Sequence, residues 1–473
     1  MVDKNKAEEE GFAEKLVDDL KQREEALKIS VKEASSYSLM DGFGLRYITP
    51  YALALQLSKL QIGLLSSLPA LLANFSQIFT PKLMEKHSRK KIVFLGMFLQ
   101  SLMWLILIGI GIGFFYLKWN REISSSSFVI AYTILILFGT LTGPAWSSWM
   151  KDLTEGVKSG EFFGRRSKVA GIVALVCMLI GGLILDYSEH FNLFIGFVIL
   201  LSLAFLGRLG SSLLIKKQYE PKWDKKEGYY FSFIDFVKQM HRNNYGKFVL
   251  TTASMAFAMS ISGPFFPVYM LENLKFSYVQ FTIVTMCSAA IALIVMQKWG
   301  RFADKYGNLK VIKISGLLIA FLPLLWIVSS FFINSGRIVF LFLIFVAFVE
   351  GFSGAGYNLS VGNFIYDSVS KGRMALCVAY FSILHGVFAF IGATLGGFLA
   401  SRNLLFGINS LLIVFGISFV LRIGALIFIN KNIKEVREVK TFTGKEAREE
   451  FRSLSPLTSW NFLDNRLFKN RPY

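Results

Sequence analysis

Six ionisable side chains inside the apolar runs of this 473-residue chain merit weighing: Asp41, Arg46, Arg208, Glu350, His385 and Arg422. A charged group in hydrocarbon costs roughly 2.5–3.5 kcal/mol on insertion scales, so each of the six needs a partner or a task. Glu350 occupies the middle of Phe-Val-Glu-Gly-Phe-Ser-Gly-Ala-Gly-Tyr-Asn, where small residues admit a neighbouring helix or a cavity and Tyr357 and Asn358 follow. A carboxyl at that depth can take up and release a proton near neutral pH. The alternative is a carboxylate neutralised by an arginine, or hydrogen-bonded to the Ser and Asn of its own face.

His385, in Phe-Ser-Ile-Leu-His-Gly, is a second proton-coupling candidate if water reaches it and a packing residue otherwise. Arg46, beside Tyr47, is too deep in its run to reach headgroups easily and can bind an anionic group directly. Asp41 reads as a helix-end or gate residue. Arg208 and Arg422 lie close to Lys216 and Lys431, so their stems are expected to snorkel to the headgroups. Pro50 and the Gly263-Pro264 and Pro267 group interrupt regular helix and free carbonyls for ligands or water. Ser260 and Ser262 stand beside the second break as further cavity candidates.

Other chemistries find no support. The four histidines lie in separate regions with no His-x-x-x-His, no paired Asp motif stands in or beside an apolar run, and Cys177, Cys287 and Cys377 fall in separate runs. These features argue against a metal site, a cofactor and an enzyme acting on lipid-linked substrates. No Gly-x-x-x-x-Gly-Lys-[Ser/Thr] is present, so nucleotide hydrolysis does not drive this chain.

The elements that carry these residues follow from composition. Hydrophobic residues make up 53% of the chain and charged residues 18%, more apolar material than a soluble core of this length requires. A membrane-spanning helix takes about 20 mostly apolar residues. Twelve runs qualify: 38–56, 60–80, 92–116, 127–150, 168–186, 192–215, 248–271, 277–297, 311–333, 338–360, 374–400 and 404–430. The predicted fold class is all-α integral membrane, with twelve transmembrane helices in two pseudo-symmetric six-helix bundles. Residues 1–36 lack an apolar core and read as a cytoplasmic segment rather than a cleavable leader. The bundles fall at 37–215 and 248–430, joined by a basic linker over 216–247 and followed by a charged tail over 431–473. Phe231, Phe233, Ile234, Phe236, Val237 and Met240 beside Lys238 and Arg242 make the linker either an amphipathic interfacial helix or an ordinary solvated connection. The tail, with Trp460, Phe462 and Phe468 scattered through it, reads as a surface-associated or disordered extension.

The formal net charge of +19 would suggest nucleic acid in a soluble protein. Here Lys and Arg concentrate in alternate loops, as in 82–91, 216–247 and 301–313, which is the positive-inside pattern. It places both termini in the cytoplasm of a plasma-membrane, multi-pass protein and removes the argument for a nucleic-acid partner. The expected partners are the lipid bilayer and a small-molecule substrate, and the expected state is a monomer.

Two halves are legible as an internal repeat. Ser58-x-x-Gln61 ahead of Pro81 to Lys91 recurs as Ser277-x-x-Gln280 ahead of Gly300 to Lys310. Asp152 precedes Gly181-Gly182 as Asp367 precedes Gly396-Gly397, and Arg208-Leu-Gly recurs as Arg422-Ile-Gly. Each Ser-x-x-Gln pair predicts a reciprocal helix cap.

The repeat and the motif Gly-x-[Leu/Phe]-x-Asp-[Arg/Lys]-x-Gly-[Arg/Asn]-x-[Lys/Arg] resemble the major facilitator superfamily over about residues 38–430. The second copy matches at Gly300, Phe302, Asp304, Lys305, Gly307 and Lys310. The first has Pro81, Glu85 and Ser88 where the pattern has Gly, Asp and Gly, followed by Arg89. The resemblance implies that these loops brace the cytoplasmic side when the protein faces outward, with Glu85, Arg89, Gly300, Asp304, Lys305, Gly307 and Asp41 as gate residues. It also implies that spans one, four, seven and ten line the cavity, so that Arg46 and Glu350 stand on facing walls. Span four lacks Arg-x-x-Gln-Gly and span five lacks the full Gly-Pro-x-x-Gly-Gly of drug antiporters in the family. The expected function is secondary transport by alternating access, coupled to protons, of a small polar or anionic organic solute. A membrane-embedded enzyme and a non-transporting scaffold or sensor are the competing readings.

Overall fold

The computed structural model describes residues 2–76, 80–155, 159–221, 233–369, 373–402, 404–405 and 408–439. The aromatic residues 460, 462 and 468 of the tail, and Phe231 of the linker, lie outside them. The chain forms two compact units, Met1–Glu227 and Gly228–Tyr473. Helix dominates both, as it must where no water satisfies backbone N–H and C=O groups.

The first unit contains α1 (Val2–Phe43), a 3-10 turn (Leu45–Tyr47), α2 (Ile48–Ala54), α3 (Lys59–Ser76), α4 (Thr80–Lys86), α5 (Arg89–Phe115), α6 (Arg121–Leu141), α7 (Gly143–Leu153), α8 (Ser159–Glu189) and α9 (Leu193–Lys217). The second contains α10 (Phe233–Gln239), α11 (Asn244–Ser262), α12 (Phe265–Val268), a π-helical turn (Tyr269–Asn273), α13 (Tyr278–Tyr306), α14 (Asn308–Ser329), α15 (Gly336–Ser368), α16 (Met374–Ala400) and α17 (Ser410–Asn432). A two-residue antiparallel pairing of Leu404–Leu405 with Ile408–Asn409 turns the chain into α17.

The pairing of helices repeats between the units. In the first, α1 lies along α8 and α9, α5 along α6 and α9, and α3 along α6. In the second, α11 lies along α16 and α17, α14 along α15 and α17, and α13 along α15. Both Ser-x-x-Gln pairs form their predicted caps. Ser58 N–H donates to Gln61 Oε1 at 2.9 Å and Ser277 N–H to Gln280 Oε1 at 3.0 Å, each answered by the reciprocal backbone bond.

Among the described residues, ten helices are long and apolar enough to cross a membrane. The first two expected runs are not among them. Run 38–56 is divided between the end of α1, the 3-10 turn and α2, with Asp41 and Arg46 at the division. Pro50 falls in the first turn of α2, where its missing N–H costs nothing. The second run ends its helix at Ser76, after Pro69 inside α3. Span seven breaks in the same manner at Gly263-Pro264, between α11 and α12.

Several helices exceed their apolar runs. The span expected over 168–186 is helical from Ser159 to Glu189, and that expected over 277–297 continues to Tyr306. Hydropathy marks where a helix meets lipid; helix propensity carries it further through Lys, Arg and Glu. Gly300, Asp304 and Lys305 therefore lie on the final turns of α13 rather than in a loop. Gly307 supplies the stop, with a backbone φ of 94° that disfavours any side chain.

Gly351 shows how the small residues of α15 act. A Cβ there would sit 2.1 Å from the Ser288 carbonyl oxygen, so only glycine lets α15 approach α13 this closely. That approach brings Ser288 beside Glu350.

Candidate functional site

Glu350 projects from α15 as a half-buried carboxyl. Its partners come from other helices, and not from the Ser and Asn of its own face. Ser288 of α13 hydrogen-bonds the carboxyl, and the nearby opposite charge is Arg422 of α17. Ser353, on its own helix, bonds backbone carbonyls instead.

Arg422 is 2% exposed and does not snorkel. Its guanidinium donates to the Ile319 carbonyl at 2.8 Å and to Ser262 Oγ at 2.8 Å. Ser262 in turn lies 2.9 Å from Ser418 Oγ, and Ser418 donates to the Ala258 carbonyl at 2.6 Å. The guanidinium is thus held between α11, α14 and α17. The small, hydroxyl-bearing side chains of these helices leave room for it in the bundle interior. Ser262 belongs to this network and is fully buried; Ser260 is half-buried. Tyr357 is buried with its hydroxyl unpartnered, while Asn358 is exposed. His385 on α16 stacks on Phe381 at 4.1 Å between ring centroids, and its Nε2 is buried without a partner.

In the first unit the break in span one positions the charges. Arg46 Nη2 lies 3.1 Å from Asp41 Oδ2, so the two residues flanking the break form an ion pair. Tyr47 is 1% exposed and its hydroxyl donates to the Met178 carbonyl. It pins span one against α8 and faces no open space. Beside the break lies a cavity of about 280 Å³ lined by Leu45, Ile48, Thr49, Leu65, Ser66 and Tyr132, among others.

Arg208 also fails to snorkel and is 3% exposed. It lies over the Tyr37 ring, with 5.3 Å from the guanidinium carbon to the ring centroid. Glu33 is buried beside it, accepting from Ser211 Oγ at 2.7 Å and from Arg166 at 2.8 Å. The sequence places Glu33 in the polar N-terminal segment expected to be cytoplasmic. The signal that could have found it is the spacing Glu33, Tyr37, Asp41, which puts three polar groups on one face of a helix.

The two copies of the repeated motif are held by segments that follow the last helix of each unit. In the first unit the Arg89 side chain is fully buried and lies 2.5 Å from Asp152 and 3.4 Å from Glu220. Glu220 also accepts the Arg89 backbone N–H at 2.9 Å, and the Pro221 carbonyl accepts from the guanidinium at 3.1 Å. Glu85, by contrast, is exposed.

In the second unit Asn308 donates to Asp367 at 2.7 Å, and Glu435 accepts the Leu309 N–H at 2.7 Å. Arg437 lies 3.1 Å from Asp367 and 3.7 Å from Asp304, whose side chain is 75% exposed. Asp304 therefore does meet an arginine, but the stronger acceptor is Asp367. Lys305 lies over the Tyr306 ring at 4.8 Å. Residues 433–437, expected as part of a surface-associated or disordered tail, instead dock on the motif.

Near the first clamp the Tyr219 hydroxyl donates to Asp19 at 2.7 Å and, with Arg23, holds that carboxyl below its ordinary range. A depressed carboxyl contributes stability at neutral pH that is lost as the pH falls through its folded value.

The sequence model of the Major Facilitator Superfamily matches residues 34–336 and 248–470. No curated protein matches the sequence. Among solved structures, the chain is similar to a mutant of the nucleoside transporter NupG, with a TM-score of 0.67 and 14% identity over 86% of this chain and 100% of that one. It is also similar to a bacterial homologue of the iron transporter ferroportin in its inward-facing state, with a TM-score of 0.62 and 13% identity over 87% and 98%. A third is a bacterial homologue of the human lysosomal transporter Spinster, with a TM-score of 0.58 and 14% identity over 86% and 95%. At these identities the likeness is one of fold, and it agrees with the family match in pointing to membrane transport rather than enzymatic catalysis. The chain belongs to the major facilitator superfamily.

Proposed function

We propose that this chain is a secondary transporter that moves a small polar or anionic organic solute by alternating access, with proton movement coupled through Glu350. The observation that carries the reading is the Glu350 carboxyl, set mid-helix between the Ser288 hydroxyl and the buried Arg422 charge. A carboxyl retained at that depth costs stability, and reversible protonation gives the cost a use. The repeated helix pairing within each unit supports a six-plus-six arrangement of twelve spans.

In this reading the protein is a plasma-membrane monomer with both termini cytoplasmic. The Arg89–Asp152–Glu220 and Asn308–Asp367–Arg437 clamps brace its inner side. His385, stacked and unpartnered, is a secondary proton candidate.

Counterflow tests the transport reading. Proteoliposomes preloaded with each of a panel of unlabelled amino acids, carboxylates, sugars and nucleosides are diluted into a trace of the labelled compound. Transient accumulation of at least one solute, at several times the rate of protein-free vesicles, is expected. Rates equal to protein-free vesicles across the panel would overturn the reading.

A further inference from the structure

The first unit holds a buried cation without a bonded carboxylate. Glu33, Tyr37 and Asp41 recur at every fourth residue of α1 and so share a face. Three guanidinium groups, those of Arg46, Arg166 and Arg208, meet only two carboxylates along this face. Asp41 pairs with Arg46 at 3.1 Å and Glu33 with Arg166 at 2.8 Å. Among the described residues Arg208 has no ion pair. Its one hydrogen bond is a 3.4 Å contact to Ser211 Oγ, and its Nε is buried with no partner. A cation 3% exposed and bonded this weakly is expensive.

Space for a ligand lies in the same unit, on walls that do not include Arg208 itself. Tyr132, which lines the cavity of about 280 Å³, lies within electrostatic reach of Tyr37 and Asp41. Tyr37 covers the guanidinium face of Arg208 and is itself 38% exposed, so rotation about its χ1 uncovers the cation. The volume is near the lower end of small-molecule sites, which run from about 300 to 1,000 Å³.

We infer that Arg208 is an anion-binding residue of the first unit, and that with Tyr37, Tyr132 and Arg46 it receives a solute bearing a single carboxylate. The charge count selects the class. One carboxylate balances the excess of one positive charge, whereas a phosphate monoester dianion would leave one negative charge uncompensated. A guanidinium presents the planar two-donor edge that a carboxylate matches. This inference rests on the transport reading above and assigns its substrate class.

The test uses the full chain in lipid nanodiscs, with acetate, lactate, benzoate, succinate or phosphate replacing chloride at constant ionic strength and neutral pH. At least one of the monocarboxylates acetate, lactate and benzoate should raise the apparent melting temperature of the wild type by about 2 °C or more, and none should shift Arg208→Gln. Ligand-free Arg208→Gln should melt no lower than the wild type, because it removes an uncompensated charge. The inference is overturned if no monocarboxylate shifts the wild type, if the shift persists in Arg208→Gln, or if phosphate alone stabilises. It is equally overturned if both Arg208→Gln and Arg208→Met fail to fold, since that is the behaviour of a structurally satisfied arginine. Counterflow separates the two readings. A neutral solute carried equally by wild type and Arg208→Gln leaves transport standing and sinks the carboxylate assignment. Absence of all counterflow with the carboxylate shift intact does the reverse.

Discussion

Replacing Arg422 with Met should lower the stability of the second unit by about 2–5 kcal/mol, since each buried acceptor left without its donor costs about 1–3 kcal/mol. The substitution strips the Ile319 carbonyl and Ser262 of their donor and leaves Glu350 without its nearby cation. The measurement is the apparent melting temperature in detergent at a fixed scan rate, followed by intrinsic fluorescence, where a fall of roughly 10 °C is expected. The double variant Arg422→Met with Glu350→Gln distinguishes charge from packing. Neutralising the carboxyl should restore a substantial part of the loss, because residues in one network are not additive. It should not restore all of it, since the carbonyl and hydroxyl remain unpaired. Equal melting of the single and double variants would show that Glu350 does not sense Arg422.

Arg89→Ala carries the second large effect. The fully buried guanidinium serves Asp152, Glu220, Ser148 and the Pro221 carbonyl at once. The two carboxylates keep some solvent, at 33% and 19% exposure, so their loss costs less than a fully buried pair and about 2–3 kcal/mol is expected. Arg89→Lys should rescue little of it. An ammonium is a point charge and cannot hold two carboxylates, a hydroxyl and a carbonyl in one plane. Because the clamp holds residues 218–221 against α5 and α7, amide hydrogen exchange of residues 218–220 is a second readout. Exchange there should accelerate in Arg89→Ala, and unchanged exchange and melting would show that Arg89 does not fasten this segment.

Much of this arrangement is legible from sequence, and the reasons differ by residue. Glu350 stands out because hydrocarbon makes any carboxyl conspicuous. The Ser-x-x-Gln caps and the Gly263-Pro264 break are legible because their chemistry is local and does not depend on the partner helix. Arg208 and Arg422 read as headgroup residues because a stem long enough to reach water and one folded into a bundle look the same in sequence. Only the serines of neighbouring turns and helices, Ser211 and Ser262, decide which occurs, and Ser262 is remote along the chain from Arg422. Glu33 escapes notice for a related reason. A polar stretch reads as solvated until α8 and α9 are known to pack on it.

The two clamps are half visible. Asp152 and Asp367 recur at matched places in the repeat, but Glu220, which shares Arg89 with Asp152, and Arg437, which pairs with Asp367, lie in segments whose composition resembles linker and tail. Glu220 and Glu435 each follow the last helix of a unit by a few residues, and each accepts the backbone N–H of the residue at the start of the third span or next to it. The repeat therefore extends past the apolar runs, beyond where hydropathy alone could trace it.

In the proposed transport cycle Glu350 carries the proton that moves with the solute. A pH-sensitive dye trapped in proteoliposomes reports it directly, on addition of whichever solute shows counterflow. Wild-type vesicles should change internal pH when the solute is added, and Glu350→Gln vesicles should show counterflow with no solute-dependent pH change. An undiminished pH change in Glu350→Gln would contradict the account.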